Sequence, residues 1–243
     1  MASDPINVRG VILSSREFKE KDRILTVLTP DRGIVSFCVK GVASKNAKNA
    51  FVSVPFMLCD FVLTKSGNFS YMKDGSIIES NSKIMESLEA MAVAGHIGRI
   101  LSESVLQTDN AKSSYELCVY AYYALGKFPQ RYQEIYCAFN WRVLTDSGFA
   151  DIYDLSQATD TYYISTKDSS IFDFKKEGLF KISSDSVKAL NYFAEHKVSE
   201  IFNVTLNDKL KDELRRFTTM YIQNQFEYEI KDPIKQLEIN LRP

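Results

Sequence analysis

A short polar segment carries the residues of this chain that are best suited to chemistry. The segment Lys40–Ala50 holds Lys40, Lys45 and Lys48 among small residues, and it contains no acidic side chain. Ammonium groups on flexible stems neutralise phosphates, and the released counterions add affinity without any reading of base sequence. The segment therefore predicts a loop that contacts a phosphate backbone. The alternative is a solvated loop whose lysines only keep the chain soluble.

The rest of the chain offers little for catalysis. His96 lies in a helical segment beside Gly95 and Gly98, where packing between helices is the ordinary role. His196 follows Glu195 near a predicted helix end, where the helix dipole favours a cation. The sequence contains no GxSxG, HExxH, Walker A or GxGxxG motif. We therefore expect a protein that is not an enzyme.

Metal binding is also weakly supported. The pairs Asp151/Asp154 and Asp208/Asp212 could ligate magnesium in a nuclease, but short acidic pairs are common on solvated surfaces. The four cysteines are Cys38, Cys59, Cys118 and Cys137. They lie far apart and form no CxxC pair, so the sequence predicts no metal, no cofactor and no disulfide framework. Scattered thiols are typical of a reducing compartment.

The composition is that of a globular protein, with 45% hydrophobic and 25% charged residues in 243. The net charge of −1 excludes a uniformly basic coat. The charge is nevertheless uneven, since residues 1–80 carry a net +3 and residues 81–243 a net −4. This predicts a front part that binds a polyanion and a rear part with another task, with chance imbalance as the alternative. Neither a signal peptide nor a membrane span is recognisable, so we expect a soluble cytoplasmic protein.

The first eighty residues show period-2 alternation of apolar and polar side chains, which predicts strands. The five runs are Asn7–Ser15, Arg23–Thr29, Gly33–Val42, Val54–Lys65 and Phe69–Glu79. Asp74-Gly75 predicts either a kink in the last strand or its end in a hairpin. Five short strands in a basic module favour an OB-type β-barrel, which binds single strands on one face. An SH3-like or other small barrel is the alternative.

From residue 82 the apolar spacing becomes helical, at i, i+3 and i+4. The predicted helices are Ser82–Val105, Ser113–Gly126, Arg131–Ser147 and one that begins at Asn207-Asp208 and continues past Tyr221. Trp141 is expected in the core, with a partner groove as the alternative. Tyr162–Ile164 and Ile171–Phe174 predict a small β-hairpin within residues 149–182. The fold class is therefore α+β: a barrel domain at 1–80, then a mainly helical domain at 81–243 with an insert at 149–182.

The opening of the chain resembles the RecO family of bacterial recombination mediators. The pattern Arg-Glu-Phe-x-Glu-x-Asp-Arg-Ile-x-Thr at Arg16–Thr26 carries the resemblance. The turn Thr-Pro-x-x-Gly at Thr29–Gly33 and the basic Lys40-Gly41 that follows extend it. The match is strong across residues 9–65; beyond that it is one of architecture and length.

The resemblance implies a non-enzymatic role at the nucleoid. Family members have an OB-fold and a helical domain, bind single- and double-stranded DNA, anneal complementary strands and help to load the RecA recombinase. The implied partners are RecR and the C-terminal tail of single-strand-binding protein. Many members hold zinc with four cysteines in the insert, whereas residues 149–182 contain none. We therefore predict a hairpin held without zinc by Tyr162, Tyr163, Phe172 and Phe174.

The expected DNA contacts are basic residues of the barrel domain. They are Lys40, Lys45, Lys48, Arg9, Arg16, Lys19, Lys21 and Arg32. The loop lysines are favoured for DNA, because Arg16, Glu20, Asp22 and Arg23 can pair with one another and set barrel geometry instead. Phe37 and Tyr71 are candidates for base stacking, with the core as the favoured role of each.

A protein-binding surface is expected in the helical domain. An acidic and apolar tail needs an apolar slot with a basic rim. The candidate rim residues are Arg131, Arg142, Arg215 and Arg216, and ordinary surface charge is the alternative for each. A different class of function is also open: a protein-interaction adaptor with a structural barrel and no DNA binding of its own.

Overall fold

The computed structural model describes residues 4–42, 50–67, 69–105, 110–156, 159–226 and 229–240. It forms two compact units, residues 1–130 and residues 131–243. The first five strands end near residue 80, as the sequence predicts, but the two helices that follow belong to the same compact unit as these strands.

The first unit is built on a closed five-stranded barrel. Its strands are β1 (Ile6–Phe18), β2 (Asp22–Thr29), β3 (Gly33–Val39), β4 (Leu58–Ser66) and β5 (Phe69–Glu79). They follow the order β1-β2-β3-β5-β4, and every pairing is antiparallel except the parallel contact of β3 with β5. This is the OB-type barrel expected from the sequence. Strand β5 continues through Asp74 and Gly75, so a local irregularity and not a hairpin occurs there.

Alternation along the strands fills the barrel interior. Phe37 and Phe61 meet edge to face at its centre, with ring centroids 4.9 Å apart. The buried residues around them are mainly aliphatic: Val8, Ile12, Leu25, Val27, Val39, Val42, Val52, Leu63 and Met72, together with Cys59. Burying each large side chain contributes roughly 1.5–3 kcal/mol, so this interior holds the strands in register. Phe37 is therefore a core residue and is not available for stacking.

Two helices complete the first unit. They are α1 (Leu88–Ser104) and α2 (Lys112–Lys127). The helix predicted from Ser82 begins six residues later, because Ser82–Glu86 forms a 3-10 turn and the Ser87 hydroxyl then accepts a hydrogen bond from Ala90 N at 3.2 Å. This is an ordinary side-chain cap of a helix N-terminus.

Gly98 allows α1 to pack closely against β1 and α2. A Cβ atom at this position would lie 2.9 Å from the Leu13 carbonyl oxygen and 3.0 Å from the Tyr122 hydroxyl oxygen. The same hydroxyl donates to the Ala94 carbonyl at 3.1 Å. The close approach is thus made at Gly98, whereas a Cβ at Gly95 would meet open space.

The second unit is mainly helical and contains a small sheet. Its helices are α3 (Tyr132–Asp146), α4 (Ser184–Glu195), α5 (Val198–Ile201), α6 (Asp208–Gln225) and α7 (Pro233–Asn240). Its strands are β6 (Thr161–Ile164), β7 (Ile171–Phe172) and β8 (Phe180–Ser183), in the order β7-β6-β8. The predicted hairpin of β6 and β7 is present, and β8 adds a third strand that the sequence pattern did not indicate. Asn207 caps α6 by accepting from Leu210 N at 3.0 Å, as predicted.

Trp141 is fully buried at the centre of the second unit. Its ring lies 5.8 Å from those of Tyr153 and Phe217 and 5.4 Å from that of Tyr221. Tyr221 in turn donates to the Phe149 carbonyl at 2.8 Å. Trp141 is a core residue, as expected.

The four cysteines are buried free thiols. Burial raises the pKa of Cys59 to about 12, so this thiol stays protonated at neutral pH. Within the described ranges, no three His, Cys, Asp or Glu side chains gather as a metal site would require. The described helices also include none that is long and apolar enough to cross a bilayer.

Candidate nucleic-acid interface

Strand register brings four residues from distant parts of the first unit into one row. Arg16 pairs with Ile24, Ile24 with Cys38, and Cys38 with Tyr71. Residues directly opposite one another on paired strands point to the same face of the sheet. Arg16 and Tyr71 thus lie at the two ends of one row on the outside of the barrel.

Aromatic side chains continue this face. Phe18 lies two residues after Arg16, and Phe69 lies two residues before Tyr71, so each points to the same side as its neighbour in the row. Phe69 is 58% exposed. We call the resulting hollow the barrel groove; it has a volume of about 340 Å³ and is lined by Arg16, Phe18, Lys19, Phe69 and Tyr71, with Ser36 and Cys38 on its floor.

Three cations border the barrel groove. The Lys40 ammonium lies 4.3 Å from the centroid of the Tyr71 ring, and the Lys19 ammonium 5.4 Å from that of Phe18. A cation over an aromatic face is attracted by the ring quadrupole. Arg16, Lys19 and Lys40 make no ion pair with any acidic residue of the described ranges. Their charge is available to a ligand.

A carboxylate anchors the start of the basic segment. Asp22 Oδ1 accepts a hydrogen bond from the Gly41 backbone N–H at 2.9 Å, which ties the β1–β2 turn to the chain just after Lys40. Burial raises the pKa of the Cys38 thiol beneath, helped by Asp22 and opposed by Lys40 and Lys19. The Asp of the Arg16–Thr26 pattern therefore sets barrel geometry, which is one of the two roles that the sequence left open for the charges of this pattern.

Arg32 extends the charged surface. It lines a neighbouring hollow of about 520 Å³ together with Lys65 and one acid, Asp31, and this hollow shares Ser36 and Ser70 with the barrel groove. The turn that carries Arg32 is held by the Thr29 hydroxyl, which accepts from Arg32 N at 3.2 Å and donates to the Gly33 carbonyl at 3.0 Å. Arg32 is thus placed on a fixed turn next to the groove.

Arg9 lies on another side of the barrel and is paired. Its guanidinium donates two hydrogen bonds to Asp60, from Nε to Oδ1 at 2.8 Å and from Nη2 to Oδ2 at 2.9 Å. This contact raises the pKa of Arg9 and lowers that of Asp60. Asp31 and Asp74 line the same hollow, so its charge is net negative and disfavours phosphate.

The remaining predicted DNA contacts either lie away from the barrel groove or fall outside the described residues. Lys21 is exposed on the β1–β2 turn and does not line the barrel groove. Lys45 and Lys48 fall outside the described residues. Sequence reasoning missed Phe69 and Phe18 as groove residues. The available signal was their spacing, since each lies two residues along a strand from Tyr71 or Arg16 and so points to the same face.

The four arginines expected at a partner surface all make contacts within the second unit. Arg131 donates to the Val204 carbonyl. Arg142 pairs with Asp146 at 2.8 Å and donates to the His196 carbonyl at 2.7 Å. The contacts of the other two are with acids: Arg215 with Asp212, Asp232 and Glu238, and Arg216 with Asp212. Of the four, only Arg216 is mostly exposed, with 64% of its side chain accessible.

Fold and site together define an OB-barrel protein with an aromatic and cationic groove, followed by a helical unit with a small sheet. The family model "Recombination protein O N terminal" matches residues 1–81, and "Recombination protein O C terminal" matches residues 85–233. The chain belongs to the recombination protein O family, and its role is in DNA repair.

Similar proteins include curated relatives called DNA repair protein RecO. That of Acetivibrio thermocellus is 27% identical, and the match covers 96% of this chain and 97% of the relative. That of Clostridium acetobutylicum is 21% identical, with 90% and 91% covered. That of Bacillus subtilis is 22% identical, with 88% and 87% covered. The similarity therefore extends over nearly the whole chain.

Proposed function

We propose that this protein is a non-enzymatic recombination mediator that binds and anneals single-stranded DNA and helps to load RecA. The observation that carries the proposal is the barrel groove, where aromatic rings share one face with cations that have no acidic partner among the described residues. Single strands bind such faces because bases stack on aromatic rings while cations follow the phosphates. OB-type barrels use the same combination.

The residues of the groove divide these tasks. Phe69 and Tyr71 stack bases, and Lys40 holds the phosphate next to Tyr71. Arg16, Lys19 and Arg32 follow the backbone on either side, with Lys21, Lys45 and Lys48 as further phosphate contacts. Arg9 contributes least, because a phosphate must displace Asp60 to reach it.

Annealing follows from the weakness of these interactions. Each phosphate contact weakens as the salt concentration rises, so a bound strand exchanges and shifts readily. Lysines also screen the repulsion between two strands. Neither effect needs a catalytic group, a metal or a cofactor, and double-stranded DNA binds through the phosphate contacts alone.

The helical unit then serves protein partners. The family relation supports RecR and the acidic C-terminal tail of single-strand-binding protein as partners, with RecA reached indirectly. Arg216 is the best placed of the four candidate arginines, because Arg131, Arg142 and Arg215 are half-buried in internal contacts. A role in DNA repair favours a location in the cytoplasm at the nucleoid.

The test is binding of a fluorescent single-stranded oligonucleotide at several salt concentrations. The variant changes Lys40, Lys45 and Lys48 to Ala, and a matched control changes the exposed Lys83, Lys112 and Lys127 of the same unit to Ala. We expect steep salt dependence for the wild type and the control. The triple variant should bind more weakly, with the slope reduced by about 0.7 for each phosphate that is no longer neutralised.

Two other outcomes have a clear meaning. Unchanged binding in the triple variant keeps the function and moves the phosphate contacts to Arg16, Lys19 and Arg32. If the wild type does not bind at low salt, the DNA-binding proposal is wrong. The protein is then an adaptor with a structural barrel.

A further inference from the structure

The sheet of the second unit also carries a row of aromatic and cationic residues. Tyr163 of the central strand β6 pairs with Phe172 of β7 on one side and with Lys181 of β8 on the other. Directly paired residues share a face, so Phe172, Tyr163 and Lys181 form one row across the three strands. We call this side of the sheet the outer face.

The opposite side of the sheet faces the core. Tyr162, Ile164 and Ile182 are buried, and the Phe180 ring packs 5.2 Å from that of Phe217. The sheet therefore obtains its support from that side. The residues of the outer face are half-buried or exposed. Tyr163 and Phe172 pair across the hairpin and so help to hold it, but they are not part of the core and are partly accessible to a ligand.

Two further residues enlarge the outer face. Phe174 lies 5.4 Å from Phe172, ring to ring, and is 58% exposed. The Lys176 ammonium lies 4.6 Å from the centroid of the Phe172 ring. The barrel groove has the same arrangement of a lysine over a ring, at 4.3 Å between Lys40 and Tyr71. Both surfaces thus offer stackable rings next to cations.

The charges around the outer face suit an anion. Lys175, Lys176 and Lys181 are exposed and make no ion pair with an acid of the described residues. The nearest acids in sequence are Asp173 and Glu177. Both are exposed, and together with the three lysines they leave residues 173–181 with a net charge of +1. An acidic peptide would be attracted by the same lysines but would leave the aromatic rings unused.

We propose that the outer face is a second contact site for single-stranded DNA. It stacks bases on Tyr163, Phe172 and Phe174 and binds phosphates with Lys176 and Lys181. The proposal rests on the proposed annealing function, because annealing brings two strands together on one protein. One strand occupies the barrel groove, and the outer face holds the complementary strand until the bases find register.

Photocrosslinking of the full-length protein locates the contacts directly. A single-stranded oligonucleotide with iododeoxyuridine is bound, irradiated and digested, and the crosslinked peptides are identified by mass spectrometry. We expect two groups of crosslinks, one at Phe69 and Tyr71 and one within residues 161–181. Crosslinks at the barrel alone overturn the second site and leave the proposed function intact. A protein without crosslinks or annealing activity contradicts both proposals.

A variant then tests what the second site does. Phe174→Ala, Lys176→Gln and Lys181→Gln are combined, and the control combines Ile152→Ala, Lys188→Gln and Lys209→Gln, which removes the same number of exposed apolar and basic side chains from the second unit. Annealing is followed with a fluorophore and a quencher on complementary strands. We expect annealing to slow about tenfold in the variant, since one stacked base is worth about that much in affinity.

The affinity for a single strand distinguishes the second site from the barrel groove. This affinity should change by at most about twofold in the variant, because the barrel groove is intact. The control should match the wild type in both assays. An annealing rate equal to that of the wild type, in a variant with an unchanged melting temperature, overturns the proposal and leaves the outer face to a protein partner.

Discussion

Two sides of the same barrel use the same strand, β1, in opposite ways. On one side Arg16 points into the barrel groove beside aromatic rings and makes no ion pair with the described acids. On the other side Arg9 is held by Asp60 through two hydrogen bonds, and Asp31 and Asp74 are close by. A basic residue in a sequence is thus not yet a phosphate contact. The residue across the sheet decides whether its charge is available.

Removing the rings of the barrel groove should have the largest effect. We expect Phe69→Ala with Tyr71→Ala to weaken single-strand binding by about 30-fold or more, since each of the two base–ring stacks contributes about 1–3 kcal/mol. Duplex binding should change much less, because paired bases remain stacked on one another. Fluorescence polarisation with both DNA forms measures the two affinities.

The control for this prediction is an aromatic pair elsewhere in the first unit. Tyr120→Ala with Tyr123→Ala removes two exposed rings from α2, one of which also has a lysine, Lys127, at 5.2 Å from its centroid. Equal losses of affinity in the two double variants would mean that the groove is not the site.

Breaking the anchor of Lys40 should have a smaller effect. Asp22→Ala removes the acceptor of the Gly41 N–H, so we expect the free energy of unfolding to fall by about 1–2 kcal/mol. DNA affinity should fall about threefold as Lys40 loses its fixed position. The neighbouring Glu20→Ala removes the same charge without this bond and should raise affinity slightly. A rise in affinity in both variants would show that Asp22 acts only through its charge.

Releasing Arg9 should make the two sides of the barrel more alike. In Asp60→Asn the guanidinium loses its ionic partner, and we expect DNA affinity to rise about twofold and the salt slope to steepen by about 0.7, as for one new phosphate contact. Asp74→Asn serves as the control, because it removes an acid from the same hollow and leaves the pair in place, and Asp74 does not line the hollow of Arg32. If Arg9→Gln weakens binding as much as Lys40→Gln does, Arg9 already contacts DNA.

The smallest effect concerns pH. The pKa of Asp60 is lowered in the folded protein by the hydrogen bond from Arg9, so the pair stabilises the fold fully above the ordinary carboxyl pKa of about 3.9. This contribution is lost as the pH falls through the folded value. Urea unfolding should therefore show a constant small difference between wild type and Arg9→Gln at pH 5–7, which shrinks below pH of about 4. The difference is small because both side chains are largely exposed. A difference that grows toward acid pH would contradict a stabilising pair of Arg9 and Asp60.

Sequence reasoning predicted the barrel well because its signal is local. Alternation within each run placed all five strands, and the boundaries of β2 and β5 agree to within one residue. It missed β8, which has only the four residues Phe180–Ser183, too few to show a period. For α4 it predicted only a helix end near His196, where the helix does end, and it gave no prediction for α5 or α7. The change from strands to helices was visible in the sequence, whereas the packing of α1 and α2 with the barrel was not.

The site was harder to predict because it depends on pairing between distant residues. The pair of Arg9 and Asp60 joins positions 51 residues apart, and no local pattern signals it. No local pattern signals the position of Tyr71 either, because the parallel pairing with Cys38 places it at the groove. Lys40 lies over the Tyr71 ring at the groove, while its contact with DNA, like those of Lys45 and Lys48, stays a prediction.

The parallel contact of β3 with β5 also has a consequence for how the protein folds. Neighbouring strands such as β1, β2 and β3 pair through short turns, but Cys38 and Tyr71 meet only when a long stretch of chain has been closed into a loop. Contacts of high sequence separation form late, since the entropy of loop closure is lost before they stabilise anything. The groove therefore does not exist on a nascent chain until β5 has left the ribosome. If the proposed single-strand binding holds, its gain during refolding marks the moment at which the barrel closes.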